Sequence, residues 1–102
     1  MSQFDVFRNP DARSRKAFPL IVVLQHDVVD DTESVIVAGL IPSKDQGTTR
    51  LFPRFKIAGR SYTMRTPDLA SMPRKVLTAP VASLRSEWHQ IDAALDILFT
   101  GI

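Results

Sequence analysis

The chain has 102 residues, 44% hydrophobic and 24% charged, a composition that fits one small folded domain (residues 1–102) and excludes a disordered tract or two independent cores. Cysteine is absent, so neither a disulfide framework nor a thiolate zinc site can brace the fold, and packing helped by a second copy has to do so. The net charge of +2 is spread over thirteen basic residues, which does not identify a nucleic-acid binder and fits an acidic protein partner.

Taken in chain order, Gln3 to Phe7 alternates apolar with polar and reads as a strand closed by Asn9-Pro10-Asp11. A basic loop with Arg13, Arg15 and Lys16 follows, open to two readings: a solvated loop or a phosphate-contacting patch. Phe18 to Leu24 is β-branched and apolar enough for a central strand buried on both faces. Its apolar core, Leu20 to Leu24, is far too short to span a membrane, and the opening residues carry no signal region, so the expected location is the cytoplasm.

Gln25 to Asp31 reads as a strand end or turn, and Ser34 to Ile41 as the next strand, ended by Pro42. Ser43 to Thr49 has the composition of a surface loop. Leu51 to Ile57 and Arg60 to Arg65 flank Ala58-Gly59 as a tight hairpin, and Pro53 requires an edge strand or a bulge there. Thr66 to Ser71 is expected to form an isolated helical turn with Pro67 at its first position, followed by a short strand over Met72 to Leu77. From Ser83 the period is helical. Leu84, Trp88, Ile91, Leu95, Leu98 and Ile102 form one stripe expected to pack on the sheet, with Arg85, His89, Asp92 and Asp96 facing away. Ile97 falls almost opposite, as an isolated exposed side chain or part of a subunit contact.

Catalytic chemistry leaves little trace. His26 and His89 are the only histidines, and no glycine-rich phosphate loop exists among four glycines. His26 and Asp27 form a candidate acid–base couple, but neighbours on a strand point to opposite faces. Asp92 and Asp96, one helical turn apart, are a solvated face or a cation site, the former being the ordinary case.

Read in order, Gln3 to Phe7, Leu24-Gln25-His26-Asp27-Val28-Val29-Asp30, Phe52-Pro53, Asp68-Leu69-Ala70-Ser71-Met72-Pro73 and the closing Ile91 to Ile102 resemble the CcdB toxin family over essentially the whole chain. The resemblance implies a mostly β, α+β fold: a small curled antiparallel sheet, barrel-like as in CcdB and MazF toxins, with a minor sheet and a C-terminal helix. It also implies a two-fold homodimer and a toxin of a plasmid-maintenance type, which poisons DNA gyrase by binding its A subunit and trapping the enzyme on cleaved DNA. A labile CcdA-type antitoxin with a disordered acidic segment neutralises such proteins, which are binders rather than enzymes and have no cofactor, no metal and no direct contact with nucleic acid.

Carried over by position, the gyrase contact implied by the resemblance is Thr100, Gly101 and Ile102. Gly101 and Ile102 match the family pattern. Thr100 departs from a tryptophan whose flat face can stack on a target arginine, so the gyrase recognised need not be the familiar one. The antitoxin surface implied in the same way comprises Val28, Val29, the helix side at Asp96, the basic loop with Arg13 and Arg15, and the loop from Ser43 to Thr49; for the two valines the alternative is core packing. The residues leave two other functions open. One is a MazF-like endoribonuclease using Arg13, Arg15 and His26, and the other is a non-toxic relative that only binds antitoxin.

Overall fold

The computed structural model of the protein describes residues 1–27, 32–44 and 49–101. Its strands are β1 (Asp5–Arg8), β2 (Leu20–Val23), β3 (Ser34–Pro42), β4 (Arg54–Ile57), β5 (Arg60–Pro73) and β6 (Ala82–Ser83), followed by the single α-helix of the described residues, α1 (Trp88–Thr100). All pairings are antiparallel, in the order β4-β5-β3-β2-β1-β6, and the six strands curl into a nearly closed, barrel-like sheet.

The doubly apolar strand expected near residue 20 is β2, and its position beside β3 explains its composition. Successive residues of a strand point to opposite faces, so a run without polar residues must be covered on both. Val22 and Leu24 enter the larger core with Val6, Ala38, Leu40, Met64, Ile91 and Ala94. Ile21 and Val23 enter a second, smaller core with Phe7, Val35, Val37 and Leu77.

The Ala58-Gly59 hairpin forms as expected, both residues having positive φ (51° and 81°), the geometry whose twist suits two-residue hairpins. β4 lies at an edge of the sheet, with Pro53 just before it, so the missing proline N–H interrupts no ladder. The Pro53 carbonyl still accepts a hydrogen bond from Met64 N–H at 2.9 Å.

Two expectations are corrected downstream. Thr66 to Ser71 is not a helical turn but the middle of β5, where the register slips: Arg65 pairs with Gly39 while Leu69 pairs with Ala38. The same proline, aspartate and threonine that signal a turn are accommodated by a bulge, across which Arg65 and Asp68 form an ion pair at 3.0 Å. Thr66 is fully buried, its hydroxyl donating to the Leu51 carbonyl. One ladder runs through all six strands, so the hairpin of β4 and the first half of β5 is a smaller wing joined to the rest at this bulge. Beyond it, Met72 to Leu77 is a strand only as far as Pro73, and Arg74–Val76 forms a 3₁₀ turn that delivers Leu77 to the second core.

The terminal helix starts later than its sequence period suggests. A 3₁₀ turn at Arg85–Glu87 precedes it, so the phase does not run from Leu84 through Trp88. Within α1 the buried stripe centres on Ile91 and Ala94, and at about 100° per residue Trp88 lies about 60° from the first and about 120° from the second, at the margin of the stripe. The inward residues are Ile91 and Ala94, flanked by Leu95; Trp88 is 44% exposed.

Gly39 sits where β3 passes under the ring of Phe18, and a Cβ there would lie 2.4 Å from Phe18 Cδ1. Gly39→Ala is therefore expected to destabilise the protein by about 1–3 kcal/mol, as overpacking does. A urea titration checks this: the loss should shrink in a Phe18→Ala background, and equal losses in both backgrounds would refute the close approach as its cause.

Candidate partner-docking site

The residues expected to dock partners fall on two elements. The first is the end of α1. Thr100 is the last helical residue, and its hydroxyl turns back to donate to the Asp96 carbonyl at 2.6 Å. Gly101 follows with φ of 76°, its N–H reaching the Ile97 carbonyl at 3.1 Å. This left-handed cap is the common way to close a helix, and glycine takes it without a Cβ penalty. Asp96, Thr100 and Gly101 are thereby brought together, all exposed. Phe99 beside them is 69% exposed, while Ile97 and Leu98 are half-buried. Val28, Val29 and Ile102 lie outside the described residues, as do positions 45–48 of the Ser43–Thr49 loop.

The second element is the loop from Asn9 to Phe18, which is far more ordered than its basic composition indicates. Asn9 is buried, and its amide donates to Ser14 Oγ at 2.9 Å and to the Phe18 carbonyl at 2.8 Å, while its Oδ1 accepts from Asp11 N–H. Asp11 in turn accepts from Arg13 N–H and from the Ser14 hydroxyl. Arg15 closes the loop, with Nε on the Asn9 carbonyl at 2.7 Å and Nη2 on the Pro10 carbonyl at 3.0 Å. The two arginines thus differ: the Arg15 head is engaged by backbone carbonyls, and Arg13 stands exposed at the loop surface.

His26 is separated from this loop. Arg13 and Arg15 lie in the connection between β1 and β2, whereas His26 follows the far end of β2, beside Gln3. The hairpin between them is about 13 Å long at 3.3 Å per residue. The arginines and the histidine named for a nuclease site are therefore not gathered into one groove. Nor does the strand-alternation argument hold for His26 and Asp27, because β2 ends at Val23. Both line one open cleft of about 590 Å³, together with Phe4, Arg85, Trp88 and Asp92. Asp27 Oδ1 accepts from Gln3 N–H at 2.7 Å, and its Oδ2 faces Arg85 at 3.5 Å.

Sequence reasoning missed three of these features. The helical period places Trp88 in the core, the turn chemistry of Asn9 gives no sign of its burial, and the linear pattern does not bring His26 and Asp27 to one cleft. The buried asparagine carried a usable signal in the Asn-Pro-Asp turn, since asparagine side chains bond nearby backbone.

A family model described as CcdB protein matches residues 3–101. The chain belongs to the CcdB family. The match spans both candidate elements, the loop after β1 and the helix end as far as Gly101. Membership in the CcdB family makes the chain a toxin of a toxin–antitoxin system. No helix among the described residues is long and apolar enough to cross a membrane, and no cluster of His, Cys, Asp or Glu among them has the makings of a metal site.

The unequal duties of the two loop arginines are testable by chemical denaturation. Arg15→Ala removes two charge-assisted hydrogen bonds to carbonyls and should lower stability by about 1–3 kcal/mol. Arg13→Ala should leave the unfolding midpoint within about 0.5 kcal/mol of wild type, as at ordinary surface sites. Equal losses in both variants would show that Arg15 does not hold the loop.

Proposed function

We propose that this chain is a gyrase poison: a cytoplasmic, non-enzymatic toxin that binds the A subunit of DNA gyrase as a two-fold homodimer and holds the enzyme on cleaved DNA. The observation that carries the reading is the CcdB family match through the exposed helix end, where Thr100 and Gly101 project beyond the sheet-packed part of α1. A binder needs surface rather than reactive groups, and this helix end supplies it. Phe99 is exposed, Ile97 and Leu98 are only partly covered, and the Gly101 backbone has no side chain to obstruct a partner.

A two-fold dimer repeats each contact, so two such ends presented together suit a two-fold target. Apolar surface at Phe99 and Ile97 is of the kind a second copy or a target covers. Neutralisation falls to a CcdA-type antitoxin, whose acidic, disordered segment would be drawn to the basic loop around Arg13, wrapping a large area as it folds; the helix side near Asp96 joins that surface by family position and not by charge. Val28, Val29 and Ile102 complete the two surfaces by family position. The tryptophan contact of the family pattern is not available at Thr100, so another residue has to supply stacking or the target differs.

A DNA-cleavage and supercoiling assay with the gyrase of the protein's own host tests the reading. The wild-type chain should stabilise cleaved complexes, and deletion of Gly101 and Ile102 should abolish this while circular dichroism and antitoxin binding stay unchanged. Absence of cleaved complexes with wild type would refute it. Sequence-specific RNA cleavage that disappears in His26→Ala would replace it with the endoribonuclease reading.

A further inference from the structure

The helix that carries Thr100 also carries a flank that the buried stripe does not explain. At about 100° per residue, Trp88, Asp92, Asp96 and Phe99 fall within an arc of about 80° to one side of Ile91 and Ala94, over about 16 Å of helix. The flank has an exposed aromatic residue at each end and carboxylates between. Asp92 and Asp96 are the only charged residues of α1, and neither carboxylate has a hydrogen-bond or ion-pair partner among the described residues. No basic residue stands in the last turn of the helix, where cations are favoured and acids are not. The fold itself therefore gains nothing from Asp96, and on a chain of net charge +2 this flank is locally acidic.

Trp88 is placed as a platform. His89 stacks on it with ring centroids 3.6 Å apart at 29°, which braces the indole and covers one of its faces. The indole also lines the open cleft that holds Asp92, Asp27 and Arg85. Arg85 is directed to Asp27, which leaves Asp92 as the free carboxylate one turn along the helix from the indole. An aromatic face with a carboxylate beside it is the arrangement that accepts a guanidinium, by cation–π contact with the ring and paired hydrogen bonds to the acid.

We infer that Trp88 and Asp92 form a subsite for an arginine side chain of the target protein, and that it supplies, three turns back along the helix, the aromatic contact that Thr100 does not make. The inference rests on the gyrase reading and names a specificity-determining contact within it. Charge selects this occupant over the antitoxin. An acidic segment would be repelled by Asp92 and Asp96, whereas a basic segment of the target meets complementary charge with aromatic anchors at both ends.

Trp88 is the chain's one tryptophan, so full-length protein labelled with 5-fluorotryptophan gives a single fluorine resonance that reports on the site. That resonance should shift with N-acetylarginine amide and stay in place with the neutral isostere N-acetylcitrulline amide. A response to both or to neither overturns the assignment. Titration with the gyrase A subunit should move the same resonance. Trp88→Leu and Asp92→Lys, each confirmed to unfold at the wild-type temperature, should weaken binding of that subunit at least tenfold, and Trp88→Phe should retain it within threefold. Wild-type binding that Trp88→Leu leaves within twofold sinks the subsite alone. Failure of the wild-type chain to bind the subunit at all sinks the gyrase reading and this occupant with it.

Discussion

Burial of β2 and β3 on both faces is the constraint from which the rest of the molecule follows. An alternating strand needs one partner layer, but Leu20–Val23 is apolar throughout, and Val35 to Leu40 of β3 is close to that, so two layers are required. On one face the curled sheet and α1 close over Val22, Ala38, Leu40 and Met64. On the other face Phe7, Ile21, Val35, Val37 and Leu77 gather, and the Asn9–Phe18 loop lays Phe18 over Gly39. The loop can do this because Asn9 and Arg15 satisfy its carbonyls internally. Both candidate docking elements are therefore the outer surfaces of the two covers.

This division gives the covers different freedoms. The loop is bound by a network of side-chain hydrogen bonds, so its outward basic residue, Arg13, is displayed from an ordered frame. The helix is anchored by Ile91, Ala94 and Leu95, and its last turn, from Ile97 to Thr100, has no buried residue. A helix with one inward stripe has spare faces, and here one of them carries Trp88, Asp92, Asp96 and Phe99. Opposite charge on the two covers, basic at the loop and acidic along the helix flank, is a physical basis for handling two partners of unlike charge.

The position of the tryptophan matters for how the family pattern is read. Stacking on a cation requires a flat ring that is accessible on at least one face and held against rotation. Thr100 cannot provide that, but Trp88 is stacked on His89, lines an open cleft and is 44% exposed. Loss of an aromatic residue at one helical position need not mean loss of the contact, since residues on one helix flank address a common surface.

Much of the architecture was legible in the residues themselves: the apolar run of β2, the Ala58-Gly59 hairpin, the edge position signalled by Pro53 and the closing helix each follow from a local period or a local turn preference. The motifs in order from Gln3 to Ile102 sufficed to place the chain beside its family. What the linear pattern could not decide was everything set by contact between distant segments. The turn residues Thr66, Pro67 and Asp68 became a bulge because β3 pairs on both sides of them, and a local propensity cannot anticipate a partner strand. Trp88 left the core because α1 turns Ile91 and Ala94 inward, which puts Trp88 at the margin of the buried stripe, and which part of an apolar stripe faces the sheet is decided only by packing. Arg13 and Arg15 look alike in sequence, yet carbonyls at Asn9 and Pro10 engage only the second, because hydrogen bonds are made in space and not along the chain.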